Sequence, residues 1–143
     1  MSRLRLVLDT NVLVSAFLWR GTPGRLVELA GEKEVQLFTS RTLLDELSAT
    51  LTKKKLAKSV EATGLTADQM LANYKRIATT VSARQLDERV SRDADDDAVL
   101  ACALAARVDL VVSGDDDLLV LGSFKDIAIV SVSAAMRQFS GNR

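Results

Sequence analysis

The sequence predicts an α/β fold, three layers deep (α/β/α), around a central, mostly parallel sheet of about five strands. Three observations lead there. Short runs of leucine and β-branched residues alternate with longer helix-like stretches along the chain, as parallel strands joined by crossover helices do. Two of the runs, Leu4–Leu8 and Leu110–Val112, lead directly or within three residues into carboxylates. Apolar side chains make up 48% of the residues but aromatics only 4%, so the core must be built of Leu, Val and Ala. At 143 residues a single domain spanning 1–143 is expected. A chain near that length buries roughly 70% of its unfolded surface.

Leu4–Leu8 reads as a first, buried strand. Residues 11–19 are strongly apolar and helical. Gly21, Thr22, Pro23 and Gly24 break that helix, and Pro23 suits the first turn of the next, over about 24–31. Residues 35–38 form a second strand. Ser40 is a good N-cap for a helix over about 41–53. A short helix over 54–60 is closed by Gly64, and Thr66 caps another over about 67–78. Residues 79–83 make a weak strand and 85–92 a polar loop. The helix over 95–107 is apolar on nearly all sides in its middle, hence buried. Residues 110–112 and 127–130 are strands, and 133–139 a terminal helix. The right-handed crossover rule then brings all strand C-termini to one rim, which Asp9 and Asp115 both face although 106 positions separate them.

The net charge of zero argues against a strongly basic nucleic-acid binder. Its distribution is more informative. Residues 1–86 hold 13 Lys/Arg and 8 Asp/Glu, whereas 87–143 hold 6 and 11. The bases crowd at Lys53, Lys54, Lys55 and Lys58. They read either as a solvated helix end or as a phosphate-attracting rim beside an acidic centre. Cys102 stands alone in an apolar run and reads as core. No apolar stretch approaches the roughly 18 residues of a membrane span. Asp9 and Asn11 interrupt the apolar start, against a signal peptide. A cytoplasmic protein is expected.

The chemistry lies in the acids. Asp9 leaves a buried strand directly, and a buried carboxylate without a partner is costly. Asn11 either orients Asp9 or caps the helix. Gly114 permits a tight turn and close approach of a ligand before Asp115, with Asp116 and Asp117 following. Asp93, Asp95, Asp96 and Asp97 precede a helix, where acids favour the macrodipole, but four exceed what capping requires. Glu46 flanks the buried stripe of Leu43, Leu44, Leu47 and Leu51, about 60° from Leu43 on the helical wheel. Two charges 4 Å apart cost on the order of 4 kcal/mol at an effective dielectric of 20, so such a gathering calls for a compensating proton, base or metal. The chain has no His and one Cys, which excludes nitrogen- and thiolate-rich sites. Oxygen ligands alone select Mg²⁺ or Mn²⁺.

Four segments resemble the motifs of PIN domains, in order. They are residues 8–16 (LDTNVLVSA), 44–47 (LDEL), 92–100 (RDADDDAVL) and 111–119 (VVSGDDDLL). The likeness covers roughly residues 4 to 132 and looks nearest to the toxin branch related to VapC-type proteins. It implies a Mg²⁺- or Mn²⁺-dependent endoribonuclease whose products carry a 5′-phosphate and a 3′-hydroxyl. By motif, the ligands would be Asp9, Glu46, Asp115 and one of Asp96 and Asp97. The Arg92-Asp93-x-x-Asp96 opening favours Asp96; the distance to Ser113 and Asp115 favours Asp97. Asp117 would be an auxiliary acid, and Asn11 and Ser113 would support the ligands. An RNA substrate, a cognate antitoxin protein and a homodimer follow from the same resemblance. Trp19 reads either as core or as part of a dimer patch. The alternative is a PIN-like module that binds RNA or antitoxin with weak or no catalysis. A dehalogenase-type phosphatase fits less well, because it needs an Asp where Asn11 stands; a receiver domain needs an early acidic pair.

Overall fold

The computed structural model describes residues 3–86, 88–90 and 94–141. Its strands are β1 (Leu4–Leu8), β2 (Val35–Ser40), β3 (Ala78–Val81), β4 (Leu110–Val112), β5 (Ser123–Phe124) and β6 (Ile127–Val130). They form one sheet in the order β3-β2-β1-β4-β6-β5, parallel except for the β5–β6 pair. The helices are α1 (Thr10–Leu18), α2 (Gly21–Gly31), α3 (Arg41–Leu51), α4 (Ala57–Ala62), α5 (Ala67–Ile77), α6 (Ala94–Ala106), α7 (Asp116–Leu119) and α8 (Val132–Gly141). A 3₁₀ turn, Lys54–Leu56, precedes α4. The three-layer, mostly parallel α/β/α architecture is the one the sequence predicts.

Side-chain alternation on the strands separates two cores. Leu6, Leu8, Leu110 and Val112 pack with α1, α2, α5 and α8 on one face. Val7 and Val111 pack with Val99, Leu100 and Ala103 of α6 on the other. Strands buried on both faces read as unbroken apolar runs, as LVV at β4 does. Side-chain caps set several helix starts. Asp9 accepts from the Val12 N–H at 3.0 Å and Ser40 from the Leu43 N–H at 3.3 Å. Thr66 and Gln69 form a reciprocal capping box on α5.

Some boundaries differ from expectation. α2 begins at Gly21, ahead of Pro23, because Arg20 and Gly21 both take positive φ (60° and 56°) and turn the chain into the helix at once. Pro23 still falls in the first turn, where no N–H is needed. α7 and β5 were not expected: four and two residues are too few to show a period. Of the predicted loop 85–92, Asp87, Ser91 and Arg92 lie outside the described residues, as does Asp93.

The topology places the site. From β1 the chain moves outward through β2 and β3, then crosses back to lay β4 on the other side of β1. The C-terminal ends of β1 and β4 therefore flank the switch point, where open α/β sheets bind ligands. Leu8 pairs with Val112, and the Asp9 N–H donates to the Val112 carbonyl at 3.0 Å. Asp9 and Ser113 leave the sheet side by side.

Candidate metal centre

Asp9 is 5% exposed, at the mouth of β1. One carboxylate oxygen caps α1 through Val12; the other accepts a short hydrogen bond from the Ser113 hydroxyl. Ser113 Oγ in turn accepts from the Asp115 N–H at 2.9 Å. A fully buried hydroxyl thus ties the carboxylate after β1 to the backbone after β4. Burial pushes the Asp9 carboxyl above the ordinary aspartate value. Hydrogen bonds from Ser113, Val12 and Gly114 pull it part of the way back, and the nearby Asp115 charge raises it further.

Asp115 caps α7, accepting from the Asp117 N–H at 2.8 Å. Carboxylate oxygens of Asp96, Asp115 and Asp117 all lie within 4.8 Å of one another. Three elements supply them: the first turn of α6, the end of β4 and the first turn of α7. An all-oxygen cluster of this tightness fits a hard divalent cation.

Asp96 and Asp97 part company here. Asp96 is buried, continuing the face of α6 that carries Val99, Leu100 and Ala103, and it lines the cleft. Asp97, about 100° further round the helix, pairs with Arg89 at 3.1 Å and accepts from the Val90 N–H at 3.2 and 3.3 Å. Its carboxylate thus holds Arg89 and Val90 to α6.

Asp9, Asp96 and Asp115 open into a cleft of about 860 Å³. Glu46 of α3 lines the same cleft, outside the tight group of three, and exposed Asn11 lines it as well. The structure therefore brings Asp9, Asn11, Glu46, Asp96 and Asp115 to one cavity and sets Asp117 against Asp96 and Asp115. Two lysines of the basic run, Lys53 and Lys55, also line it. Sequence reasoning undervalued Trp19. It lies at this cleft, 59% exposed, rather than in the core. Its place at the very end of α1, before the turn at Arg20, was the available signal.

Acids from three motifs are thus gathered at the switch point of a parallel sheet. Residues 5–117 match the family model of the PIN domain. The chain belongs to the PIN domain family. Among curated proteins, an uncharacterized protein from Methanocaldococcus jannaschii, MJ1680, is 26% identical over 120 residues, spanning 83% of this chain and 76% of that protein. Among solved structures, PAE2754 from Pyrobaculum aerophilum superposes with a TM-score of 0.65 at 14% identity, over 98% of this chain and 99% of that one. A chain of VapBC2 from Rickettsia felis, crystallised bound to a DNA fragment from its promoter, gives 0.60 at 14% identity, over 90% and 98%. At such identities the two structures are alike with this chain in fold, over a span that runs beyond the matched segment.

Proposed function

We propose that this PIN domain is a Mg²⁺- or Mn²⁺-dependent endoribonuclease and the toxin of a toxin–antitoxin pair. The observation that carries the reading is the clustering of Asp96, Asp115 and Asp117 within 4.8 Å, beside buried Asp9. Asp9, Glu46, Asp96 and Asp115 are the proposed ligands, with Asp117 auxiliary and Asp97 holding the entry to α6. When bound, the ion would polarise a phosphodiester and activate a water for in-line attack. The chain's own groups prepare the site. Ser113 fixes the Asp9 carboxylate and the Asp115 backbone together. Lys53 and Lys55 attract backbone phosphates to a cleft whose floor is acidic. Mutual repulsion of the gathered carboxylates makes the site a trap for a cation.

A toxin role is supported by the fold likeness to a chain of VapBC2. A protein antitoxin and a homodimer belong to the same reading, as does a cytoplasmic location. No helix among the described residues is long and apolar enough to cross a membrane. Two cores on opposite faces of one sheet support a single domain.

Mn²⁺ at 100 times its Kd should stabilise the protein by about 2.7 kcal/mol, raising Tm by roughly 5–10 °C. Asp115→Asn should lose that rise and cut labelled RNA more than about 100-fold more slowly, beyond the usual cost of removing a supporting residue. No thermal response to Mn²⁺ and no cleavage would instead make the chain an RNA- or antitoxin-binding module.

A further inference from the structure

Trp19 is the chain's single tryptophan. Trp19, Leu65 and Val120 are the large apolar side chains that stay exposed among the described residues, and of these Trp19 alone lines the acidic cleft. Its position is well anchored. Its N–H donates to the Ser15 carbonyl at 3.0 Å, closing the last turn of α1, and Arg20 at φ 60° then turns the chain away. Asp9 caps the other end of the same helix. At 1.5 Å per residue the two lie about 15 Å apart along the axis of α1. Lys53 and Lys55 line the cleft as well.

A flat aromatic left in water in the same cleft as lysines is the combination that single-stranded nucleic acid requires: a π-face for the base and positive charge for the backbone. Double-stranded RNA keeps its base faces stacked and out of reach. Building on the ribonuclease reading, we propose that Trp19 is a stacking platform for an unpaired base of a single-stranded RNA lying along α1. At ~3.4 Å per stacked nucleotide, that base is roughly four steps from the phosphate at the acidic cluster, fewer if the strand is extended. Trp19 selects unpaired RNA and sets its register, while Lys53 and Lys55 hold the phosphates.

Because Trp19 is the single tryptophan, intrinsic fluorescence reads its contacts directly. The probe is a short single-stranded oligouridylate, with chelator present to keep it intact. It should quench the emission, whereas inorganic polyphosphate and a duplex RNA of equal length should not. Fluorescence anisotropy of the labelled oligouridylate should show Trp19→Ala weakening binding roughly 5- to 150-fold, with Trp19→Phe near wild type. Circular dichroism checks that both variants fold. Binding without quenching, quenching by duplex RNA to the same extent, or unchanged affinity in Trp19→Ala would each overturn the role of Trp19. Mn²⁺-dependent cleavage, measured separately on wild type, would leave the ribonuclease reading standing in those cases. Neither binding nor cleavage would remove both.

Discussion

Arg5 and Asp9 lie four residues apart, within β1 and just past its end, yet their charges meet opposite surroundings. The Arg5 guanidinium donates to the Ala106 and Arg107 carbonyls at 2.6 and 3.4 Å and to the Gln36 side chain at 3.3 Å. It also lies 4.4 Å above the Phe38 ring, while the Arg5 backbone N–H, not the side chain, donates to the Asp109 carboxylate at 2.9 Å. At that end of the sheet the protein's own carbonyls, amide and ring receive the guanidinium. At the other end Asp9 is buried beside a second carboxylate, Asp115, whose oxygen lies within 4.8 Å of those of Asp96 and Asp117. Burial, which stabilises when each charge finds its partner, is here combined with like charge. The lower end of β1 surrounds its charge with acceptors, and the upper end gathers like charges.

Three experiments probe that contrast. The largest effect is expected at the acidic end. Asp96→Asn should slow metal-dependent RNA cleavage more than about 100-fold, while Asp97→Asn, whose carboxylate faces Arg89, should cost about tenfold or less. Single-turnover rates compare the two, and equal losses would dissolve the division of labour between them. At the opposite end Arg5→Met should lower unfolding free energy by about 1–3 kcal/mol, since several carbonyl and amide partners lose a charged donor. The urea midpoint measures it, and cleavage should be untouched. A cleavage defect as large as that of Asp96→Asn would erase the contrast.

The smallest effect is a pH dependence in the metal-free protein. Folded Asp9 binds its proton more tightly than the unfolded chain does, because burial raises its pKa. Its contribution to stability is therefore fully present below the ordinary aspartate range and is lost as pH rises through the raised value. Asp9→Asn, which keeps an acceptor for Val12, should melt above wild type at neutral pH, with the gap closing in acid. A gap that widens in acid would place the strain elsewhere.

Much of this was legible in the sequence because the governing physics is local. Apolar runs of the right length gave β1, β4 and β6, and side-chain caps gave the starts of α3 and α5. Strand order was not legible. Nothing local to Leu110–Val112 says that it lies beside β1 rather than β3. The assignment of Asp96 and Asp97 depended on Arg89, which reaches one of them from a segment without periodic pattern. The four-residue α7 hid among acids that read equally well as a turn. Of the two readings of Trp19, the core one failed because hydrophobicity alone predicts burial, whereas a helix-terminal side chain can be left standing at a cavity wall.

The hydrogen bond from Ser113 to Asp9 joins residues 104 positions apart, and the Asp115 N–H donates to the same Ser113 hydroxyl. Polypeptides leave the ribosome at roughly 5–20 residues per second, N-terminus first. For many seconds after Asp9 appears, Ser113 and Asp115 do not yet exist, and the β1 end has no acidic partner from β4. Until synthesis reaches β4, the carboxylate at the end of β1 has none of the groups that β4 and α7 bring beside it, and the acidic centre is incomplete.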